Sequence, residues 1–112
     1  MKRVTAIVRP EILEPLKESL VGVGVSGMTI SEVLGFGHQH GWKEYYRGTE
    51  VLLNMVPKIQ VAIVVADDAV EDVIAAVVSV AKTGEVGDGK IFVQPVEEAV
   101  RIRTGDRGEA AL

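Results

Sequence analysis

Residues 59–81, IQVAIVVADDAVEDVIAAVVSVA, change their apolar period partway along. Ile59, Val61, Ile63 and Val65 recur at every second position, which places them on one face of a strand. Asp67 or Asp68 is expected to cap a helix that follows at once. There Val70, Val73, Ile74, Val77, Val78 and Ala81 recur at three and four, the stripe of an amphipathic helix. A strand running directly into a helix is half of a βαβ unit, and the upstream chain shows the same alternation. Val4, Ala6 and Val8 alternate with Arg3, Thr5 and Ile7 until Pro10 stops the strand. Ile12, Leu13, Leu16, Leu20 and Val23 then take helical spacing. Pro15 is tolerated in a first turn, where the N–H groups have no helical partner anyway, and Gly22 and Gly24 supply the stop.

Met28 to Leu34 reads as a second strand, with Met28 and Ile30 on one face and Thr29, Ser31 and Val33 on the other. Lys90 to Val96 reads as the last. The order β-α-β-β-α-β predicts a single α+β domain over residues 1–112, ferredoxin-like, with two helices on one face of a four-stranded antiparallel sheet.

Composition narrows the function classes. Lys and Arg number 12 against 16 Asp and Glu, a net charge of −4, which argues against a nucleic-acid partner because phosphate neutralisation needs a basic surface. The lack of cysteine excludes a disulfide framework, Cys-based zinc sites and thiol catalysis. Arg9 and Pro10 cut short the apolar run that begins at Val4, and no stretch approaches the ~20 apolar residues that cross a bilayer. A soluble cytoplasmic protein with no direct membrane insertion is expected. The 12 glycines against five aromatic residues point to loops that matter.

Seven of those glycines lie in or at the root of two loops. The first runs from about Gly37 to Met55 and carries His38, Gln39, His40, Trp42, Tyr45, Tyr46 and Arg47, an aromatic–arginine group of the kind that forms interaction hot spots. His38 and His40 form a His-x-His pair, but no third metal ligand is evident and loop histidines are usually solvated. The second loop is Thr83-Gly84-Glu85-Val86-Gly87-Asp88-Gly89-Lys90. Its glycines let backbone N–H groups wrap an anion and its lysine adds charge. It is not a Walker A loop, because Ile91 and a strand follow the lysine. Arg101 and Arg103, two apart, would point the same way in extended chain and grip one polyphosphate, with Lys58 nearby at the start of the third strand.

These residues resemble the PII family of nitrogen-regulatory signalling proteins along essentially the whole chain. The nucleotide-loop signature is matched from Thr83 to Val93, the C-terminal signature by Arg101-Ile102-Arg103-Thr104-Gly105, and the long T-loop by Gly35-Phe36-Gly37, Gln39, Gly41 and Tyr46-Arg47-Gly48. The resemblance implies a T-loop over about 37–55, a nucleotide loop over about 82–90 and a C-terminal segment over about 98–112. It implies a homotrimer with ATP or ADP in clefts between subunits. Gly87, Asp88, Gly89 and Lys90 would line one side of the nucleotide; Ile7, Thr29, Gly35, Phe36, Gly37 and Val64 would hold adenosine and phosphates; and Arg101 and Arg103 would reach across the subunit boundary. Gln39 would bind Mg²⁺ shared by ATP and 2-oxoglutarate, with Lys58 on the distal carboxylate and Gly41 contributing backbone. Partners would be an ammonium transporter, entered by Arg47 and bringing the protein to the membrane, or a nitrogen-metabolism enzyme. Such a protein binds and does not turn over substrate.

Departures from the pattern are specific. Val51 stands where many members carry the modified tyrosine, and it has no hydroxyl to modify. His38 replaces a usual arginine and Ala62 a usual glutamate, which bears on ATP against ADP. The alternatives are a PII-like variant sensing another ligand for carbon or bicarbonate metabolism, or an acylphosphatase-like enzyme on the same fold, for which Asn54 is the one available asparagine.

Overall fold

The computed structural model describes residues 1–36, 43–46, 49–52 and 55–112, the two short segments by their backbone alone. In chain order its elements are β1 (Lys2–Val8), α1 (Leu13–Gly22), β2 (Thr29–Gly35), β3 (Lys43–Tyr46), β4 (Thr49–Leu52), β5 (Val56–Val65), α2 (Val70–Ala81) and β6 (Lys90–Pro95). Turns of 3-10 helix sit at Pro10–Ile12, Asp67–Ala69 and Gly108–Ala111. The main sheet has the order β2-β5-β1-β6, antiparallel throughout, and β3 pairs with β4 in a separate ribbon. The expected βαββαβ arrangement is present.

Register assigns the two faces. Val4 faces Ile63, Ala6 faces Val61 and Val8 faces Ile59, so one set of alternate residues from the two central strands points to the helices. With Leu16 and Leu20 of α1 and Val70, Val73, Ala76, Val77 and Ala81 of α2, they form the core, where Leu16 is fully buried. The other set forms the opposite face: Thr29, Ser31 and Val33 of β2, Lys58, Gln60, Ala62 and Val64 of β5, Arg3, Thr5 and Ile7 of β1, and Lys90, Phe92 and Gln94 of β6. No described helix covers it, and Phe92 stays 49% exposed there.

Four expectations change. Neither Asp67 nor Asp68 caps α2, whose first turn is entered through a 3-10 turn after Ala66 without a side-chain cap. Asp67 instead accepts from the Met1 amino group at 2.9 Å and lies 3.6 Å from the Lys2 ammonium. The bond from the amino group, with the charge of Lys2, holds its carboxyl below the ordinary range. The third strand of the main sheet begins at Val56, three residues before the alternation announces it, because Pro57 and Lys58 still pair with Leu34 and Val33 of β2. Pro57 is tolerated there because β1 ends its pairing at Ile59. Part of the long loop is a hairpin: Lys43 pairs with Leu52 and Tyr46 with Thr49. Finally, residues 101–105 turn and are not extended. Gly105 N donates to Arg101 O at 2.7 Å and Arg101 N to Asp106 O at 2.9 Å, so Arg101 and Arg103 do not lie side by side on a strand.

Candidate functional site

The loop after α2 closes around one carboxylate. Asp88 accepts from Thr83 N at 2.8 Å, from Gly84 N at 2.9 Å, from the Thr83 hydroxyl and from Arg9 Nη1. Those bonds, the Thr83 hydroxyl first and Arg9 next, hold the Asp88 carboxyl far below the ordinary range. Arg9 Nη2 donates to Val86 O at 2.9 Å, so one guanidinium ties both limbs of the loop to the end of β1. Gly84, Gly87 and Gly89 all take positive φ. At Gly89 (φ 106°) a Cβ would lie 1.8 Å from the carbonyl oxygen of Ile7, so only glycine lets the loop dock on β1 this closely. The family resemblance places Asp88 along one side of a nucleotide; in the structure its carboxylate shapes the loop. Arg9 and Thr83 are not among the site residues that the resemblance implies. The Thr83–Asp88 spacing around Gly84 and Gly87 is a usable local signal, but nothing local reveals Arg9, which is 79 residues from Asp88.

Lys58 joins this loop to the root of the long hairpin. Its position on the uncovered face would expose most lysines, yet it is only 8% exposed, because the loop folds over it. Its ammonium donates to Gly87 O at 2.6 Å, and its Cγ would stand 3.3 Å from a Cβ at Gly35. A buried ammonium needs more than one acceptor, and the Gly87 carbonyl is the one acceptor recorded for it among the described residues. An anion at this spot would complete its coordination.

The remaining expected residues divide between two ends of the uncovered face. Ile7, Gly35, Lys58, Lys90 and the loop lie at the end where Val8 pairs with Ile59. Thr29, Ala62 and Val64 lie at the other, where they line a depression of about 490 Å³ with Arg3, Gly27, Met28 and Val96. The C-terminal segment belongs to that second end: Glu109 and Leu112 border Gly24–Gly27 and Val64–Ala66. Arg101 Nη2 donates to Leu112 O at 2.9 Å, and Arg103 is exposed in its turn. From Lys58 to Val64 along β5 is about 20 Å at the rise of a strand. One chain therefore does not bring Arg101 to its own glycine loop. Phe36 is 75% exposed at the hairpin root. Gly37, His38, Gln39, His40, Gly41, Trp42, Arg47 and Asn54 lie outside the described residues, and for Val51 the backbone alone is described.

A ferredoxin-like sheet with one face that no described helix covers, and a glycine loop docked at one end of it, defines a small α+β domain. The family profile described as Nitrogen regulatory protein P-II matches residues 1–106. Over 112 residues covering the whole of both chains, identity is 47% with Nitrogen regulatory protein P-II of Cereibacter sphaeroides, 50% with that of Microchaete diplosiphon and 47% with Nitrogen regulatory protein GlnK of Escherichia coli. The chain belongs to the nitrogen regulatory protein P-II family, whose members matched here are named as regulators and not as enzymes. The acylphosphatase-like alternative is set aside.

Proposed function

We propose that this protein senses ATP or ADP together with 2-oxoglutarate at clefts between identical subunits, in a homotrimer, and reports their state to a nitrogen-metabolism target through the T-loop. The observation that carries the reading is the division of the binding residues between opposite ends of one uncovered face. A head-to-tail ring closes such halves into complete sites: the glycine loop of one copy meets Arg101 and Arg103 of the next. A face carrying Phe92 and Ile7 also needs a cover, which a ring supplies.

The described residues fit the ligands. Three glycines with positive φ free the backbone of residues 84–89 to approach phosphate, Lys90 adds an exposed ammonium, and Lys58 offers a buried one to a carboxylate. Gln39, by family resemblance, is the side chain for a divalent cation; Mg²⁺ supplies the positive charge that lets a triphosphate and a dicarboxylate share one cleft. Lys58 touches both the glycine loop and the hairpin root, so a dicarboxylate drawing its ammonium would change how the two segments meet. The T-loop then docks on, or leaves, an ammonium transporter or an enzyme. The protein would work in the cytoplasm, and at the membrane when bound to a transporter.

Calorimetry on Lys58→Ala tests this reading. Mg-ATP binding is expected to persist while the heat from added 2-oxoglutarate disappears. An unchanged 2-oxoglutarate isotherm would contradict it.

A further inference from the structure

Asp88 places a carboxylate inside a loop that, on the reading above, receives a polyphosphate, and like charges there repel. Arg9 resolves the conflict. It lies just beyond β1 with φ −65° and ψ 143°, and Pro10 after it favours that extended backbone. From there the guanidinium reaches Asp88 Oδ1 with one nitrogen and Val86 O with the other, at side-chain exposures of 23% for Arg9 and 22% for Asp88. The second carboxylate oxygen is taken by two backbone N–H groups, Thr83 and Gly84. Both oxygens of Asp88 are thus used, and its charge is matched by one adjacent cation.

We propose that Arg9 is a positioning residue of the nucleotide site: it fastens the glycine loop to β1 and cancels the charge of Asp88, so that the loop accepts an anion. The inference rests on the nucleotide reading but adds to it a residue that acts through the loop. A purely structural clamp would be expected to tolerate removal of both charges together no better than removal of one. A charge-compensating clamp is relieved when the carboxylate is neutralised as well.

The test measures Mg-ATP affinity of the full chain at two salt concentrations for wild type, Arg9→Gln, Arg9→Lys, Asp88→Asn and the Arg9→Gln/Asp88→Asn pair, with amide exchange of Thr83 and Gly84 in ligand-free protein. Arg9→Gln is expected to weaken ATP about tenfold and to exchange faster in the loop, the size of a lost charge-assisted bond. The double variant should return to within about threefold of wild type, and Arg9→Lys, which keeps the charge, should fall between. Equal ATP affinity and equal loop protection in wild type and Arg9→Gln would overturn the proposal alone. So would a double variant no better than Arg9→Gln, or an Arg9→Lys as weak as Arg9→Gln. A wild-type chain that ignores Mg-ATP would overturn the nucleotide reading together with this one.

Discussion

Gly89 shows how a single residue couples the loop to the sheet. An added Cβ would overlap the Ile7 carbonyl in a backbone conformation that side chains rarely adopt. Gly89→Ala is therefore expected to destabilise the protein by about 2–4 kcal/mol, or to expel the loop, read as a lowered Tm with loss of Thr83 and Gly84 protection. Acid has a separate effect. The folded pKa of Asp88 is depressed, so its contribution is fully present above the ordinary value of 3.8 and is lost only as pH falls below that toward the folded value. Loop protection measured by NMR should accordingly be flat between about pH 7 and pH 5 and weaken in stronger acid. Loosening already near neutrality would contradict that assignment. Much at this scale was hidden from the sequence. Gly84, Gly87 and Gly89 were legible because turns demand glycine, whereas the use of Asp88 and the part played by Arg9 depend on tertiary proximity.

Elements were read best where one face meets a core. The alternation of β1 and the stripe of α2 are consequences of burial, and both elements lie where periodicity places them. The reading weakened where burial stops. The alternation of β5 begins only at Ile59, because Pro57 and Lys58 pair only with the edge strand β2 and carry no apolar pattern. The β3–β4 hairpin stands apart from the main sheet, so no core imprinted its period on the sequence. Caps are local signals, so the sequence points to Asp67 or Asp68, whereas Asp67 pairs with the Met1 amino group. Leu16, fully buried between helix and sheet, gives the expected cost of breaking an element: Leu16→Ala should destabilise by about 2–5 kcal/mol in denaturant unfolding with little change in m-value. The hairpin offers a different readout, since Trp42 is the only tryptophan and lies in the same loop. Mg-ATP with 2-oxoglutarate is expected to change its fluorescence, and ADP to give a different signal. Identical emission in all ligand states would argue against a ligand-responsive T-loop.

For the whole molecule, the proposed functional unit extends beyond the folding unit. The chain folds around one core, and no described helix covers the other face of its sheet, where Phe92 is exposed. Phe92→Glu, on that face, should convert the proposed trimer to monomer by light scattering while leaving the circular dichroism of the fold intact; a variant that stays trimeric would place the interface elsewhere. The family was legible in the sequence through its loop signatures. What the structure adds is that Lys58, Lys90 and the glycine loop occupy one end of the face, while Thr29, Val64 and Arg101 occupy the other. The most direct test of a site shared between copies is complementation. Lys90→Ala and an Arg101→Ala/Arg103→Ala variant are each expected to bind Mg-ATP poorly alone. Co-refolded in equal amounts, they should regain wild-type affinity at about a quarter of their sites, those pairing an intact loop with intact arginines from a neighbour. No recovery in the mixture, with both variants trimeric, would contradict a nucleotide site built between subunits.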